Sequence, residues 1–459
     1  MAERIRRREI SPVELVDAHL QRATALQPKL NAFVHLAQEE ARAQARRAEA
    51  AVLCGEPLGP LHGVPITVKS CIDVGGWRCP AGSALRKDYV PVQDAVGVAR
   101  LKAGGAILIG NTNTPEFLLA YETNNSVQGK TSNPWDLSRS AGGSSGGEAA
   151  AIASGCSAGG IGSDGGGSVR VPAHFCGICG LKPTPGRIAA TGHFPDGAGA
   201  FPWLGVVGPM ARTVGDLRLL LEAIAGPDAG DSCSVAAPLQ RAEDATRRGG
   251  RVGILESDAL GAVSAETSAA VEHAARALED QGMAVEPVRL AGLDRAIALW
   301  WYFFGSVIGH LVRGSVAGQE AELSPMLREY LEVAAGEPAV TIDAFLAACT
   351  ERDNVRAEIL RQMEDFPVLL APVSSGPAFR HGEGTWRTGA GAPYRETMRH
   401  SQWLNLAGLP GVAVPAGASA EGLPIGVQVI GRPFEEERIL GVAECIERAV
   451  GGPRRPPEF

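Results

Sequence analysis

The sequence predicts an α/β protein, and three observations carry that expectation. Short apolar runs rich in β-branched residues recur as strand candidates: VLLAPV at 368–373, GVAVPAG at 411–417 and GVQVIG at 426–431. Strand and helix patterns alternate along the chain, as in the helical stretch 94–103 followed by the buried run AILIGNTNT at 106–114, and such alternation marks an α/β core. Strand candidates also lie toward both termini, so the sheet is assembled from both ends of the chain.

The elements follow in order. Ser11, Pro12 and Glu14 form a capping box, with serine at the N-cap, proline at the first helical position and glutamate three residues after the serine. Val13, Val16 and Leu20 then share one face. A second helix, rich in Ala, Arg and Glu, covers 37–53 and stops at Cys54 and Gly55. The run 64–68 is a short β-branched strand that ends at Lys69 and Ser70. A short helix is expected over 116–122, and SNPWDLSRSA at 132–141 reads as a turn-rich approach to the loop that follows. EAAAIA at 148–153 is a strong helix former. Beyond a loop rich in Gly, Pro and Phe that runs to about residue 208, a helix covers 213–224. RVGIL at 251–255 is a strand, 264–281 an amphipathic helix stopped by Gly282, and MAVEPV a strand again. The region 293–364 is helical and contains the aromatic run Trp300 to Phe304; a helix over 435–450 closes the chain.

Composition bounds the function. With 459 residues, 45% hydrophobic and 20% charged, the chain can bury a large core. Length alone would allow two or three domains, but no long polar or Pro-rich linker interrupts it, so one domain over 1–459 is expected. A net charge of -8 and no basic stripe argue against a nucleic-acid partner. The basic N-terminus leads into SPVELVD rather than an apolar segment, and no apolar run reaches membrane-spanning length. Neither a membrane partner nor secretion is therefore expected. Nine dispersed cysteines do not read as a disulfide framework, so the expected location is the reducing cytoplasm.

The chemistry concentrates in GGSSGGEAAAIASGCSAGGIGSDGGGSVRVPAHFCGICGLK, residues 142–182, where Ser144 and Ser168 stand among glycines. Glycine permits backbone torsions and close approaches that a Cβ forbids, so amide groups can be aimed at the serine's own reaction centre. The helix former and the apolar stretch within the segment argue against a flexible linker. Lys69, at a strand end followed by the largely apolar Cys71, Ile72 and Val74, is a candidate for enclosure. Burial would lower its pKa and supply a neutral amine able to act as a base.

With these residues in view, the chain resembles the amidase signature family, serine hydrolases with a Ser-Ser-Lys triad. GVPITVK, the 142–184 segment and LNLAGLPGVAVPAG with GLPIGVQVIG carry the likeness, which spans nearly the whole chain. The resemblance implies the amidase signature fold, a large mixed, mostly parallel central β-sheet covered by helices on both faces. It also implies a signature core at about 60–210 and a helical, substrate-facing insertion at about 290–365. Carried over residue by residue, Ser168 is the nucleophile, Ser144 the bridging serine in a cis peptide, and Lys69 the ultimate base. The amides of Gly165, Gly166, Gly167 and Ser168 form the oxyanion hole. Gly165 departs from the family's usual Thr or Ile, adding freedom at a donor. Asp164 and Arg170 brace the loop, and Ser145 hydrogen-bonds within it.

Other motifs carry less. Gly160, Gly162 and Gly165 match GxGxxG without the strand and helix a dinucleotide site needs. Cys176 and Cys179 are a lone CxxC in an apolar setting, and His174 is near Ser168 in sequence only; no metal and no cofactor are expected. The expected reaction is hydrolysis of carboxylic amides, with esters and carbamates (urethanes) as further substrates, and water as co-substrate. Thr131, Trp301 and Phe304 are candidates for contact with a small apolar or aryl group, in an aryl acylamidase-like or urethanase-like member working as a monomer or homodimer. The alternative is the amidase subunit of a tRNA-dependent amidotransferase complex. It is disfavoured because Val171 stands where glutamine is expected and GAFPWLGVVGP replaces an SLDQIGP-like stretch.

Overall fold

A computed structural model of the chain describes residues 1–197, 199, 201–239, 250–255 and 260–457; Ala198 and Ala200, in the expected loop before 208, lie outside them. Eleven strands form one sheet. In chain order they are β1 (Phe33–Leu36), β2 (Pro65–Lys69), β3 (Ile107–Thr112), β4 (Gly159–Asp164), β5 (Cys179–Lys182) and β6 (Val206–Ala211), then β7 (Arg251–Leu255), β8 (Ala284–Val288), β9 (Val368–Pro372), β10 (Gly411–Ala418) and β11 (Pro424–Gly431). Their spatial order is β1-β3-β2-β4-β6-β5-β10-β11-β9-β7-β8, so the last strands of the chain sit in the interior of the sheet, as expected from its two-ended assembly.

The sheet is mixed, but its parallel share is smaller than expected. Parallel pairing is confined to β3-β2-β4 and β9-β7-β8, whereas β1 meets β3 and every pair from β4 to β9 through β6, β5, β10 and β11 antiparallel. The physical reason is connection length. The link between β10 and β11 is too short for the crossover that parallel neighbours require. Helices cover both faces, because strand side chains alternate. Along β9, Val368 and Leu370 enter a core shared with the helices Ala265–Glu279 and Glu436–Ala449, whereas Leu369 and Ala371 enter the core of Gly146–Ala153, Arg170–Cys176 and Arg399–Ala407.

Most expected elements form. The first expected helix is Pro12–Leu30, preceded by a short helix Ala2–Arg6, with Ser11 Oγ accepting from the amides of Val13 and Glu14. One expectation fails, and one strand carries no signal in the sequence. Residues 116–122 hold only a short turn, Glu116–Leu118, because Phe117 and Leu118 adopt φ of 51° and 67°, outside the helical region. Residues 159–164, whose glycines lower strand propensity, form β4. The helical run Leu293–Ser315 spans 23 residues, long and apolar enough to cross a membrane by length and composition, and more than half of its apolar part is buried inside the protein. Asp294 and Arg295 near its start and His310 and Arg313 near its end bound the apolar part, residues 296–309, which is shorter than a membrane span.

Candidate active site

The glycines of β4 let two elements approach the sheet closely. A Cβ at Gly160 would stand 2.0 Å from Glu148 Oε1, and one at Gly162 would stand 2.6 Å from Ser145 Oγ; both neighbours belong to the start of the helix Gly146–Ala153 or the residue before it. That contact sets the helix, and the serine loop that leads into it, directly on β2 and β4.

Lys69, the last residue of β2, is fully buried there. Its Nζ donates to Ser144 Oγ at 2.7 Å and to Ser163 Oγ at 3.1 Å. Burial pushes the ammonium down to about 8, against the opposing influence of Cys71, Asp164 and Glu148. Glu148 is buried too, accepting from Thr67 Oγ1 and, at 2.7 Å, from Thr112 Oγ1. Burial pushes its carboxyl up to about 7 while Thr67, Thr112 and Lys69 pull it down. Thr112 is the cross-strand partner of Lys69, so Glu148 clamps the same rung of the sheet that carries the lysine. The Gly143–Ser144 peptide is cis, and Ser144's carbonyl accepts from Thr114 Oγ1 at 2.8 Å.

Ser168 follows β4 in a turn built around Asp164. That carboxylate accepts from the amides of Gly167 and Val169 at 2.7 and 3.1 Å, and from Arg170 at 3.0 and 3.1 Å. Burial alone would raise the Asp164 carboxyl, but the charge and hydrogen bonds of Arg170 hold it well below the usual range. Arg170 continues to Gln428 of β11 at 2.8 Å and to Asn405 at 2.7 Å. Both residues therefore brace the loop, as expected.

The carbonyls of the glycine turn are tied outward. Trp300 Nε1 donates to the Gly165 carbonyl at 2.9 Å, Tyr121 Oη to that of Gly166 at 2.7 Å, and the Val171 amide to that of Gly167 at 2.6 Å. Because a trans peptide is planar, with its N–H directed opposite its C=O, these bonds turn the following amides away from Trp300, Tyr121 and Val171. The Gly167 amide goes to Asp164; those of Gly165, Gly166 and Ser168 have no protein acceptor among the described residues. The set of four expected amide donors thus reduces to three, because Asp164 already engages Gly167.

A cavity of about 450 Å³ opens over this turn, lined by Ser144, Ser163, Gly165, Gly166 and Ser168 on one side and by Phe117, Tyr121, Phe194, Phe201, Phe304, Ile308, Val312 and Trp386 on the others. Asp196 is the one charged residue among its described lining residues. Phe304 is in this wall, stacked on Trp300 with ring centroids 4.5 Å apart. The other two proposed contacts lie elsewhere. Thr131 is buried, donating to the Asn31 carbonyl at 2.8 Å and accepting from Asn113. Trp301 donates to Glu337 at 2.6 Å and lies under the Arg395 guanidinium; it packs behind the wall, its ring centroid 5.7 Å from that of Trp386.

Ser163 and Tyr121, which the sequence did not single out for the site, and Trp300, which it placed only in the aromatic run 300–304, touch its central groups. His174 is committed to the Gly376 carbonyl at 3.0 Å and the Gly426 amide at 2.6 Å, and burial pushes it down to about 4. The thiols of Cys176 and Cys179 are buried and directed at the carbonyls of Ala141 and Arg212.

Comparison with known proteins supplies a framework for this geometry. Residues 14–440 match the Amidase family. A curated relative from Roseiflexus castenholzii, one of the subunits of a Glutamyl-tRNA(Gln) amidotransferase, is 37% identical over 484 residues, covering 99% of this chain and 96% of that protein. Among solved structures, a protein of a vestigial complex described as revealing the origins of an s-triazine catabolic enzyme superposes with a TM-score of 0.90 at 33% identity, covering 99% of this chain and 98% of that one. A bacterial aryl acylamidase of the amidase signature family superposes at 0.87 with 27% identity, covering 98% and 95%.

Proposed function

The chain belongs to the amidase family, and from that premise we propose that it hydrolyses carboxylic amide C–N bonds of small, uncharged apolar or aryl substrates through an acyl-enzyme on Ser168. Esters and carbamates are further substrates of the same chemistry. The observation that carries the reading is the 2.7 Å contact between buried Lys69 and Ser144, at a cavity that Ser144 and Ser168 both line. A serine hydroxyl is a weak nucleophile until a base within reach takes its proton. Neutral Lys69 takes the Ser144 proton as Ser144 takes that of Ser168. The Ser168 oxygen bonds to the substrate carbonyl carbon, and the oxyanion lies against the amides of Gly165, Gly166 and Ser168. Ser144 returns a proton to the leaving amine as the C–N bond breaks. Water then attacks the acyl ester, its proton passes to the same relay, and the acid departs.

In this proposal residues 60–210 act as the signature core of one domain spanning 1–459, and the helical segment 290–365 faces substrate through Phe304, Ile308 and Val312. The enzyme works in the cytoplasm as a monomer or homodimer, without metal or cofactor. The test is a panel of chromogenic anilides, esters and carbamates on the purified chain and on Ser168→Ala. Turnover should vanish with the fold intact; full activity in the variant would overturn the assignment.

A second reading, the amidase subunit of a tRNA-dependent amidotransferase, has the stronger support from curated relatives, whose names carry it across nearly the whole chain. The cavity favours the first reading, because no Lys or Arg among its described lining residues could hold the carboxylate of an amino-acid amide. Cleavage of an aryl amide by the chain alone decides for the first. Strict dependence on partner subunits and tRNA decides for the second.

A further inference from the structure

The helix Gly146–Ala153 has Ser144 just before its start and a separate cavity at its far end. That cavity, of about 260 Å³, is lined by His19 and Arg22 of the helix Pro12–Leu30, Ser154 and Gly155 after the serine-loop helix, Arg212 after β6, and Arg455 of the C-terminal segment. No acidic residue is among its described lining residues. None of the three arginines makes an ion pair among the described residues; Arg22 donates only to the Ser154 carbonyl. The proximity is felt electrostatically: burial and then the charges of Arg455 and Arg22 lower Arg212, with Asp216 pulling the other way. His19 is 8% exposed; burial lowers its pKa, while the backbone of Cys156 and Gly155 engages its ring. Three arginines lining one cavity without a carboxylate, in a chain of net charge -8, make a local positive potential that favours an anion.

We propose that this cavity binds a phosphate group, either free phosphate or the phosphomonoester of a small molecule. Guanidinium forks match phosphate oxygens in charge and geometry, and three positive charges complement a dianion better than a single carboxylate. The inference does not depend on the reaction catalysed at Ser168.

Calorimetric titration of the purified full chain with inorganic phosphate and with phenyl phosphate, at constant ionic strength set by chloride, tests it. Saturable binding with a rise in Tm is expected, weakened about tenfold or more in the double variant Arg212→Gln, Arg455→Gln. The single variant Arg455→Gln, on the exposed C-terminal segment, keeps the test valid if the double variant folds poorly, and should also weaken binding. Tighter binding of phenyl phosphate identifies an ester as the ligand, and equal or weaker binding identifies free phosphate. Absence of saturable binding by both compounds, unchanged binding in the variants, or binding of a tRNA transcript with neither small phosphate bound would each overturn the proposal.

Discussion

Lys69 ties the site to pH. Burial pushes it down to about 8, and only the neutral amine can accept a proton from Ser144. Activity on an anilide should therefore rise about tenfold per pH unit below the midpoint and level off above about 8. A kcat/KM profile flat from acid to alkali would exclude the lysine as base. Stability moves in the same direction: with the folded pKa depressed from 10.5, the full cost of burying the charge is present below about 8 and is relieved as pH rises toward 10.5. Urea midpoints across that window should climb in the parent relative to Lys69→Met. Gly165 makes a second prediction. A Cβ there meets nothing within 4 Å and its φ is not left-handed, so a side chain is sterically allowed, and it would project into space next to the cavity that Gly165 lines. Gly165→Ile should fold normally while raising KM for bulky substrates more than for small ones; equal KM values would refute that role. Lys69, Ser144 and Ser168 were readable from the sequence because their motifs are long and ordered. Trp300 and Tyr121 were not, because their bonds to the glycine carbonyls join residues 135 and 45 positions apart, and neither side chain's type reveals such a partner.

The pairing of β4 with the helix Gly146–Ala153 shows why some elements were hidden. Glycine lowers strand propensity, so GGIGSD carried no strand signal, yet the glycines are what admit Glu148 and Ser145 against the strand. The local rule fails where a close approach is required. β6 is similarly masked inside an expected loop, as Gly208 and Pro209 read as breakers, although its register with β4 is continuous from Gly159–Ala211 to Asp164–Val206. Two consequences belong to this pair of elements. Gly160→Ala would drive a methyl to 2.0 Å from Glu148 Oε1 and 2.4 Å from the Thr67 carbonyl, and should cost about 1–3 kcal/mol or more, read as a drop in Tm together with lost activity. Glu148→Gln keeps the shape but removes a charge that favours protonated Lys69. The alkaline rise of kcat/KM should then shift to lower pH. A midpoint that stays fixed while activity falls would leave Glu148 a purely structural clamp.

Across the whole molecule, the two ends of the chain meet at the middle of the sheet, where β5 pairs with β10. Two buried polar junctions reinforce that seam. Arg170 beside the Ser168 loop reaches Gln428 of β11, and Arg187 after β5 meets Glu436 at the start of the closing helix at 3.0 Å, with side chains 1% and 0% exposed. Glu436 also accepts from the Thr184 amide at 2.8 Å, and Arg187 donates to the carbonyls of Ala237 and Phe434 at 2.6 and 3.2 Å. Removing one member of such a pair leaves the other charge buried and uncompensated, which costs far more than the pair's net contribution. Arg187→Met should therefore destabilise the chain by about 3–5 kcal/mol, measured by urea unfolding, while the double variant Arg187→Met, Glu436→Gln recovers part of that loss. Because Arg187 contacts neither Ser168 nor the cavity lining, kcat/KM of the folded fraction should change little. If Arg187→Met were as stable as the parent, the seam would be held by the apolar contacts of β5, β10 and the closing helix alone.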